Sequence, residues 1–280
     1  MMGRAERIVA TVLGCGSSAG VPRIGGYWGA CDPDNPKNRR RRCSLLLEGY
    51  SGHEAQPTRV VIDTGCDLRE QLLDTNVDRL DAVLYTHEHA DHTHGIDDLR
   101  ALALNTGRRV DVYFSQEAAN RIVPSFAYCF TAPAGSGYPP ILNQNVITAD
   151  HEFSIDGPGG SIAVLPFRQD HGQISSLGFR IGGFAYSCDL SGVPEESLPA
   201  VSGLDVWILD ALRPTPHPSH LSLPEALELI EQLRPRQAVL TNLHIDLDYA
   251  ETDEATPEHV RPAFDGLQID VSAGQIISVR

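Results

Sequence analysis

The sequence lacks the features that define several classes of protein. It has no apolar run long enough to span a membrane, no low-complexity tract and no repeat of solenoid length. The apolar stretch at residues 8–13 follows two arginines, but it is too short for a signal peptide and leads directly into a Gly/Ser turn. We therefore interpret this stretch as a first strand, and we expect a cytoplasmic protein that does not bind membranes.

Paired cysteines and an excess of positive charge are absent as well. The six cysteines form no CxxC pair, which argues against a disulfide framework and favours free thiols in a reducing compartment. With 22 Lys and Arg against 37 Asp and Glu, the net charge of −15 opposes broad adhesion to nucleic acid, which is not an expected partner. The four consecutive arginines at residues 39–42 alternate between two faces, and we interpret them as a solvated edge.

The arrangement of the predicted elements indicates the fold class. Strands come in runs broken by single helices, rather than in strict βα alternation. This favours two packed sheets with helices outside, an α/β (α+β) architecture. The clearest helix covers Leu223–Leu233, which is entered through Ser222 and has Pro224 in its first turn. We expect residues 1–280 to form one domain, and the sequence leaves open whether the protein is a homodimer.

A cluster of histidines follows a predicted buried strand at residues 81–85. Four of the eleven histidines fall within eight residues, beginning with the pattern HxHxDH. His87 and His89 point to one side of an extended chain, so both imidazoles can reach one metal ion. Asp91 and His92 come where the chain turns into the next helix, so they can face a second ion. Imidazole and carboxylate ligands without cysteine suit zinc, manganese or iron in a catalytic site.

Further ligand-type residues follow three separate predicted strands. They are His171, Asp189 and His244. A sheet edge assembles a site from distant parts of the chain in this way. With the HxHxDH residues, they predict a centre that holds two divalent ions, Zn²⁺ or Mn²⁺. His244 lies two residues beyond Asn242, and the period of two keeps it on the same side only where the chain stays extended.

The order HxHxDH, lone His, lone Asp, lone His resembles the metallo-β-lactamase superfamily. This resemblance implies a four-layer αββα sandwich with a two-metal site. Several segments are similar to one branch of the superfamily, namely residues 13–22, 63–65, 92–100 and 187–190. That branch contains the phosphoribosyl cyclic phosphodiesterase of phosphonate breakdown and is related to the tRNA 3′-end-processing endonucleases.

The resemblance also implies a role for each candidate residue. It places His87, His89 and His171 on one ion and Asp91, His92 and His244 on the other, with Asp189 bridging them and Asp63 orienting a ligand histidine. The sequence departs from the branch at two places. The branch often has a structural zinc bound by a cysteine run and a late histidine. Here only Cys31 remains, with Ile245 at the histidine position, so we expect no such zinc. The last catalytic-site ligand usually follows Thr directly, whereas Asn242 takes that place here.

These features together predict a metal-dependent hydrolase. A bound metal ion lowers the pKa of water from about 15.7 to about 7, which supplies a nucleophile at neutral pH. We expect a phosphodiesterase that acts on a small cyclic or nucleotide-like phosphodiester. His220 is favoured over His217 as its general acid, and Asp91 is the other catalytic residue. Arg213 and the arginines at residues 39–42 are alternative contacts for a substrate phosphate.

Two other functions remain open at this stage. A thioester or lactone hydrolase would use the same metal site on a different bond. A non-catalytic module that binds nucleotides or metal would keep the fold and lose the hydrolytic activity. An alkoxide is a poorer leaving group than a thiolate and needs a proton donor more, so His220 favours the phosphodiesterase.

Overall fold

The computed structural model describes residues 3–52, 56–132 and 134–277. In chain order, the strands of these residues are β1 (Arg7–Gly14), β2 (Ser44–Tyr50), β3 (Thr58–Ile62), β4 (Ala82–Leu84), β5 (Val110–Phe114), β6 (Leu142–Val146), β7 (Phe153–Ile155), β8 (Ile162–His171), β9 (Ile174–Ile181), β10 (Phe184–Ser187), β11 (Val206–Asp210), β12 (Gln237–Thr241), β13 (Val260–Pro262), β14 (Gln268–Asp270) and β15 (Gln275–Ile277). The α-helices are α1 (Leu68–Asp74), α2 (Ala90–Thr93), α3 (Leu99–Thr106), α4 (Gln116–Ser125), α5 (Ala127–Phe130), α6 (Leu223–Leu233) and α7 (Tyr249–Ala255). Short 3₁₀ helices cover Pro36–Asn38, Ile96–Asp98 and Glu195–Val201.

The described strands form two sheets. One sheet has the order β15-β14-β1-β2-β3-β4-β5-β6, and the other has the order β13-β12-β11-β10-β9-β8-β7. β3, β4 and β5 are parallel neighbours in the first sheet, as are β10, β11 and β12 in the second. Parallel neighbours end at the same edge of their sheet, so the residues that follow them are brought together there.

Strand β2 shows how the sheets pack. Leu45 and Leu47 belong to the apolar cluster between the two sheets, whereas Leu46 belongs to the cluster that the helices cover on the outer face. None of these three side chains is more than 1% exposed. A strand buried on both faces carries a continuous apolar run instead of an alternating one, which explains the sequence of β2.

Helix α6 covers the outer face of the second sheet, where Ala226 and Ile230 join Trp207 of β11 in a third apolar cluster. The helix begins with a capping box in which Ser222 and Glu225 satisfy each other's backbone amides. The resulting layers are helix, sheet, sheet and helix, which confirms the predicted αββα sandwich. Among the described residues, no helix has both the length and the apolar character that a membrane crossing requires.

Three residues just past parallel strands have a left-handed backbone. The φ angles are 63° at Asp63, 55° at Asp189 and 60° at Asn242. Asp and Asn tolerate this region better than most residues, because their short polar side chains form local hydrogen bonds. Each strand therefore ends in a sharp change of direction at the sheet edge where the candidate site lies.

The arginines at residues 39–42 do not form a solvated edge, and that interpretation was wrong for Arg40. Its side chain is 2% exposed, and its guanidinium donates to the carbonyl of Leu247 at 2.8 Å and to Asn38 Oδ1 at 3.1 Å. It also lies 3.8 Å from the thiol of Cys31. The loop that follows β12 turns its carbonyl oxygens inward here, and a buried arginine satisfies them.

We predict that Arg40→Ala lowers the free energy of unfolding by about 2–4 kcal/mol, because it leaves buried acceptors without a donor. Urea unfolding at a fixed metal concentration measures this loss. Arg39→Ala is the matched control, because the neighbouring Arg39 side chain is exposed and its removal should change stability by less than about 0.5 kcal/mol. Equal losses in the two variants would contradict the structural role of Arg40.

Candidate metal centre

The carboxylate of Asp189 lies among histidines from separate parts of the chain. Its Oδ2 is 3.7 Å from His87 Nε2 and 3.8 Å from His171 Nε2. His171 Nε2 is in turn 3.4 Å from His89 Nδ1. Each of these four residues offers a ligand atom within 4.8 Å of the other three, so the group could hold one metal ion.

The second half of the HxHxDH motif faces the same carboxylate. His92 Nε2 lies 3.4 Å from Asp189 Oδ2 and 3.5 Å from Asp91 Oδ2. Asp189 thus contacts both halves of the motif, as a ligand that bridges two ions would. Six of the seven predicted metal ligands come together around it: His87, His89, Asp91, His92, His171 and Asp189.

The donor set fits divalent metal. Ligand atoms that share one ion at bond lengths of about 2.0–2.2 Å lie at most about 4.4 Å apart, which the contacts to Asp189 satisfy. His87 Nε2 is buried and has no hydrogen-bond partner in the described structure. A buried polar atom without a partner is costly, and a metal ion at this place would satisfy it.

Hydrogen bonds behind the histidines hold their rings in orientation. His92 Nδ1 donates to Asp63 Oδ2 at 2.7 Å, and His171 Nδ1 donates to the carbonyl of Ser219 at 2.7 Å. Asp63 also accepts from the Thr86 amide at 2.8 Å and from the Thr86 hydroxyl at 2.7 Å. These bonds place the proton on Nδ1 and leave Nε2 free to bind a metal ion.

The loop at residues 63–65 packs directly on the backbone of the motif. Thr64 donates its amide hydrogen to the carbonyl of His92 at 2.7 Å. A Cβ added at Gly65 would lie 2.2 Å from the carbonyl oxygen of Asp91, so only glycine fits at this close approach. The Asp-Thr-Gly sequence therefore positions Asp91 and His92 through both side-chain and backbone contacts.

Burial and neighbouring charges shift the ionisation of the cluster. Burial, followed by the charge of His92, places the pKa of His87 well below its ordinary value. At His92 burial acts in the same direction, but Asp189 and Asp63 prevail and raise its pKa well above the ordinary value. Burial opposes ionisation of Asp189 too, yet His92 and then His87 hold its pKa well below the ordinary value. The cluster therefore keeps an ionised carboxylate at its centre.

His244 lies outside this cluster. Its Nδ1 donates to Asp246 Oδ2 at 2.8 Å, and its Nε2 is in contact with the guanidinium of Arg23. It is absent from the ligand groups of the described residues. The assumption of an extended chain was wrong here, because β12 ends at Thr241 and the backbone turns left-handed at Asn242.

His220 lies close to the cluster. Its Nε2 is 4.0 Å from Asp189 Oδ2, and its Nδ1 donates to Asp210 Oδ2 at 2.8 Å. Sequence reasoning missed Asp210, which is fully buried at the carboxyl end of β11. Asp210 is the last residue of β11, the strand between β10 and β12, and this position at a strand end is the signal that could have identified it. Burial raises the pKa of Asp210 to about 6, although the hydrogen bond from His220 acts in the opposite direction.

The cluster opens into a cavity of about 420 Å³. Ser17 and Ala19 of the glycine-rich loop line one part of it, and Arg23, Arg213 and His217 line another. Neither Arg23 nor Arg213 forms an ion pair with a carboxylate of the described residues, although the chain as a whole is strongly acidic. The cavity therefore combines a group of residues that could hold a metal ion with positive charge that is available to a ligand.

The fold and the site define a hydrolase of the metallo-β-lactamase fold. The chain belongs to the β-lactamase superfamily, because its residues 58–245 match the β-lactamase superfamily domain. A diphosphatase from the PhnP family has a similar structure, with a TM-score of 0.80 and 33% sequence identity over 94% of this chain and 97% of that one. The family and fold that the sequence predicted are thereby confirmed.

Two further relatives extend the comparison. Zn²⁺-bound PqqB from Methylobacterium extorquens has the same fold, with a TM-score of 0.73 and 16% identity over 94% of this chain and 99% of that one. An octanoyltransferase of Porphyromonas gingivalis (strain ATCC BAA-308 / W83) is 32% identical over 260 residues, which cover 92% of this chain and 50% of that protein. The chain thus spans about half the length of this relative.

We predict that Asp63→Asn lowers the affinity for zinc by about 10–100-fold, because His92 loses the charged acceptor that orients it. Titration against a competing chelator measures the affinity. Asp78→Asn is the control, because it removes a carboxylate whose side chain is 82% exposed and pairs with Arg59 on the surface. Unchanged affinity in Asp63→Asn would show that the orientation of His92 does not depend on this carboxylate.

Proposed function

We propose that this chain is a phosphodiesterase that uses two divalent ions, Zn²⁺ or Mn²⁺, on a small cyclic or nucleotide-like phosphodiester. One observation carries the proposal. A histidine–carboxylate cluster and two guanidinium groups without carboxylate partners face the same cavity. Metal ions bind phosphoryl oxygens, and guanidinium groups bind the remaining anionic oxygens of such a substrate. The structural similarity to a diphosphatase at 33% identity supports phosphoryl chemistry.

In this proposal Asp189 is the ligand common to both ions. His87, His89 and His171 would hold one ion, and Asp91 and His92 would hold the other. When bound, the two ions supply a nucleophile at neutral pH and stabilise the charge that develops on the phosphoryl group. The chain itself orients the ligands through Asp63 and Ser219 and presents Arg23 and Arg213 to the substrate.

The leaving alkoxide needs a proton, and the segment before α6 offers two histidines that line the cavity. Nε2 of His220 lies beside the cluster, and the ring of His217 lies 5.1 Å from the ring of His220 between their centroids. General acid catalysis by either side chain would contribute about 10²–10⁴-fold to the rate. Both histidines therefore remain candidates on position alone.

Acyl transfer is the competing function, because a relative that the chain half covers is an octanoyltransferase. Hydrolysis of a thioester or lactone would use the same metal site. The lining of the cavity favours the phosphodiester, since Ala19 and Leu212 are its two apolar residues and the others are polar or charged. An octanoyl chain would require an apolar wall in order to leave water favourably.

We predict that the protein loaded with zinc or manganese hydrolyses bis(p-nitrophenyl) phosphate. Removal of metal by a chelator should abolish turnover, and added metal should restore it. Asp189→Asn should lower turnover by more than about 100-fold, because both ions lose their common ligand. Release of p-nitrophenol measures each rate.

An octanoyl thioester, assayed in parallel, separates the two functions. The phosphodiesterase proposal predicts that turnover of the thioester lies well below that of the phosphodiester. A metal-loaded protein that cleaves the thioester and leaves phosphodiesters intact would overturn the proposal and favour acyl chemistry. A metal-loaded protein inert to both would favour a non-catalytic binding module.

A further inference from the structure

The second ion of the proposed centre lacks a ligand at the usual place. In the resemblance drawn from the sequence, a histidine directly after β12 completes this half of the site, and Asn242 stands there instead. The amide nitrogen of Asn242 lies 3.1 Å from His220 Nδ1. Asp91, His92 and Asp189 are the remaining ligands of this ion, so the position that a histidine fills in the resembling branch is open to another side chain.

His244 is poorly placed to be that ligand. Its Nδ1 donates to Asp246, so its Nε2 is the nitrogen with a free lone pair, and the guanidinium of Arg23 donates to it. To bind an ion, His244 would have to leave both partners and pass the backbone reversal at Asn242. These contacts give His244 a different role, which is to position Arg23 at the wall of the cavity.

Two features of His220 are those of a metal ligand. Its Nε2 lies 4.0 Å from Asp189 Oδ2, within the distance that two atoms bound to one ion can span. Its Nδ1 donates to the fully buried Asp210 at 2.8 Å, just as His92 Nδ1 donates to the fully buried Asp63 at 2.7 Å. A carboxylate behind a histidine fixes the tautomer that binds metal through Nε2.

We propose that His220 is the fourth protein ligand of the second ion and takes the place that Asn242 leaves vacant. Asp189, Asp210 and His220 form one of the groups of ligand-type residues in the described structure, with Asp210 acting behind His220. The proposal rests on the two-ion site of the proposed function. It assigns the proton-donor role to His217, which lines the cavity beyond His220.

The test measures the metal content and does not depend on turnover. Wild-type protein, His220→Ala and His244→Ala are loaded with Co²⁺, and bound metal is determined by elemental analysis and by the visible spectrum of the ion. We expect two ions in the wild type and in His244→Ala. We expect His220→Ala to bind its second ion more than about 100-fold more weakly.

A second variant separates ligand loss from misfolding. Asn242→His restores a histidine directly after β12, and histidine tolerates the left-handed backbone at this position better than most residues do. Introduced into His220→Ala, it should recover the second ion. Recovery would exclude general unfolding as the cause of the loss. Failure of the double variant to recover the ion while it remains folded by circular dichroism would count against the assignment.

Other outcomes contradict the proposal directly. If His220→Ala keeps both ions at wild-type affinity but loses turnover, His220 is the general acid and not a ligand. If His244→Ala loses the second ion, the original ligand prediction holds. A wild-type protein with two ions and no phosphodiester turnover would contradict the proposed function and leave the ligand assignment standing.

His217 is tested by the leaving group. His217→Ala should keep both ions and lose about 10²–10⁴-fold in turnover of an alkyl phosphodiester, whose alkoxide needs a proton. The loss should be much smaller with a p-nitrophenyl ester, whose leaving group is stable without one. An equal loss on both substrates would remove His217 from this role.

Discussion

The carboxylate of Asp189 is the contact on which both halves of the site depend. It lies two residues past β10, the central strand of the second sheet, at a position with a left-handed backbone. Three histidines lie less than 4 Å from its Oδ2. His87 and His92 belong to the segment that follows β4 of the first sheet, and His171 ends β8 of the second sheet. The two sheets are thus joined at their edge by one ionised group, and the apolar core between them fixes the distance.

Such a group is stable only because its surroundings compensate for its burial. Positive charge at His92 offsets the loss of water around Asp189. The carboxylate of Asp63, on the other side of the His92 ring, stabilises that positive charge. Asp210 is buried in a similar way beside His220. The hydrogen bond from His220 offsets the burial of Asp210 less completely, so the pKa of Asp210 stays raised, at about 6. Metal ions held by these residues would supply part of the same compensation, because their positive charge would also offset the burial of the carboxylate.

The sequence predicted those parts of the site that depend on local spacing. The HxHxDH segment and the candidate ligands His171, at the end of β8, and Asp189, just past β10, follow from strand periodicity and from the rule that loops hold functional groups over a sheet. His244 was assigned on the same periodicity, which fails at Asn242 because the backbone leaves the extended region there. The pairing of His220 with Asp210 joins two elements through the tertiary fold, and no local pattern encodes it. The burial of Arg40 was hidden for the same reason, since the carbonyl groups that it binds, those of His244 and Leu247, lie more than 200 positions further along the chain.

Arg40 also bears on how the protein uses metal. In the branch that the sequence resembles, a structural zinc often holds this region, whereas here a guanidinium that is always charged binds the carbonyls of the loop after β12. Arg40 therefore stabilises this loop through contacts of the chain itself. Hydrogen bonds from a guanidinium to carbonyl oxygens do not vary with the metal concentration, so this wall of the cavity keeps the same internal support at any level of metal.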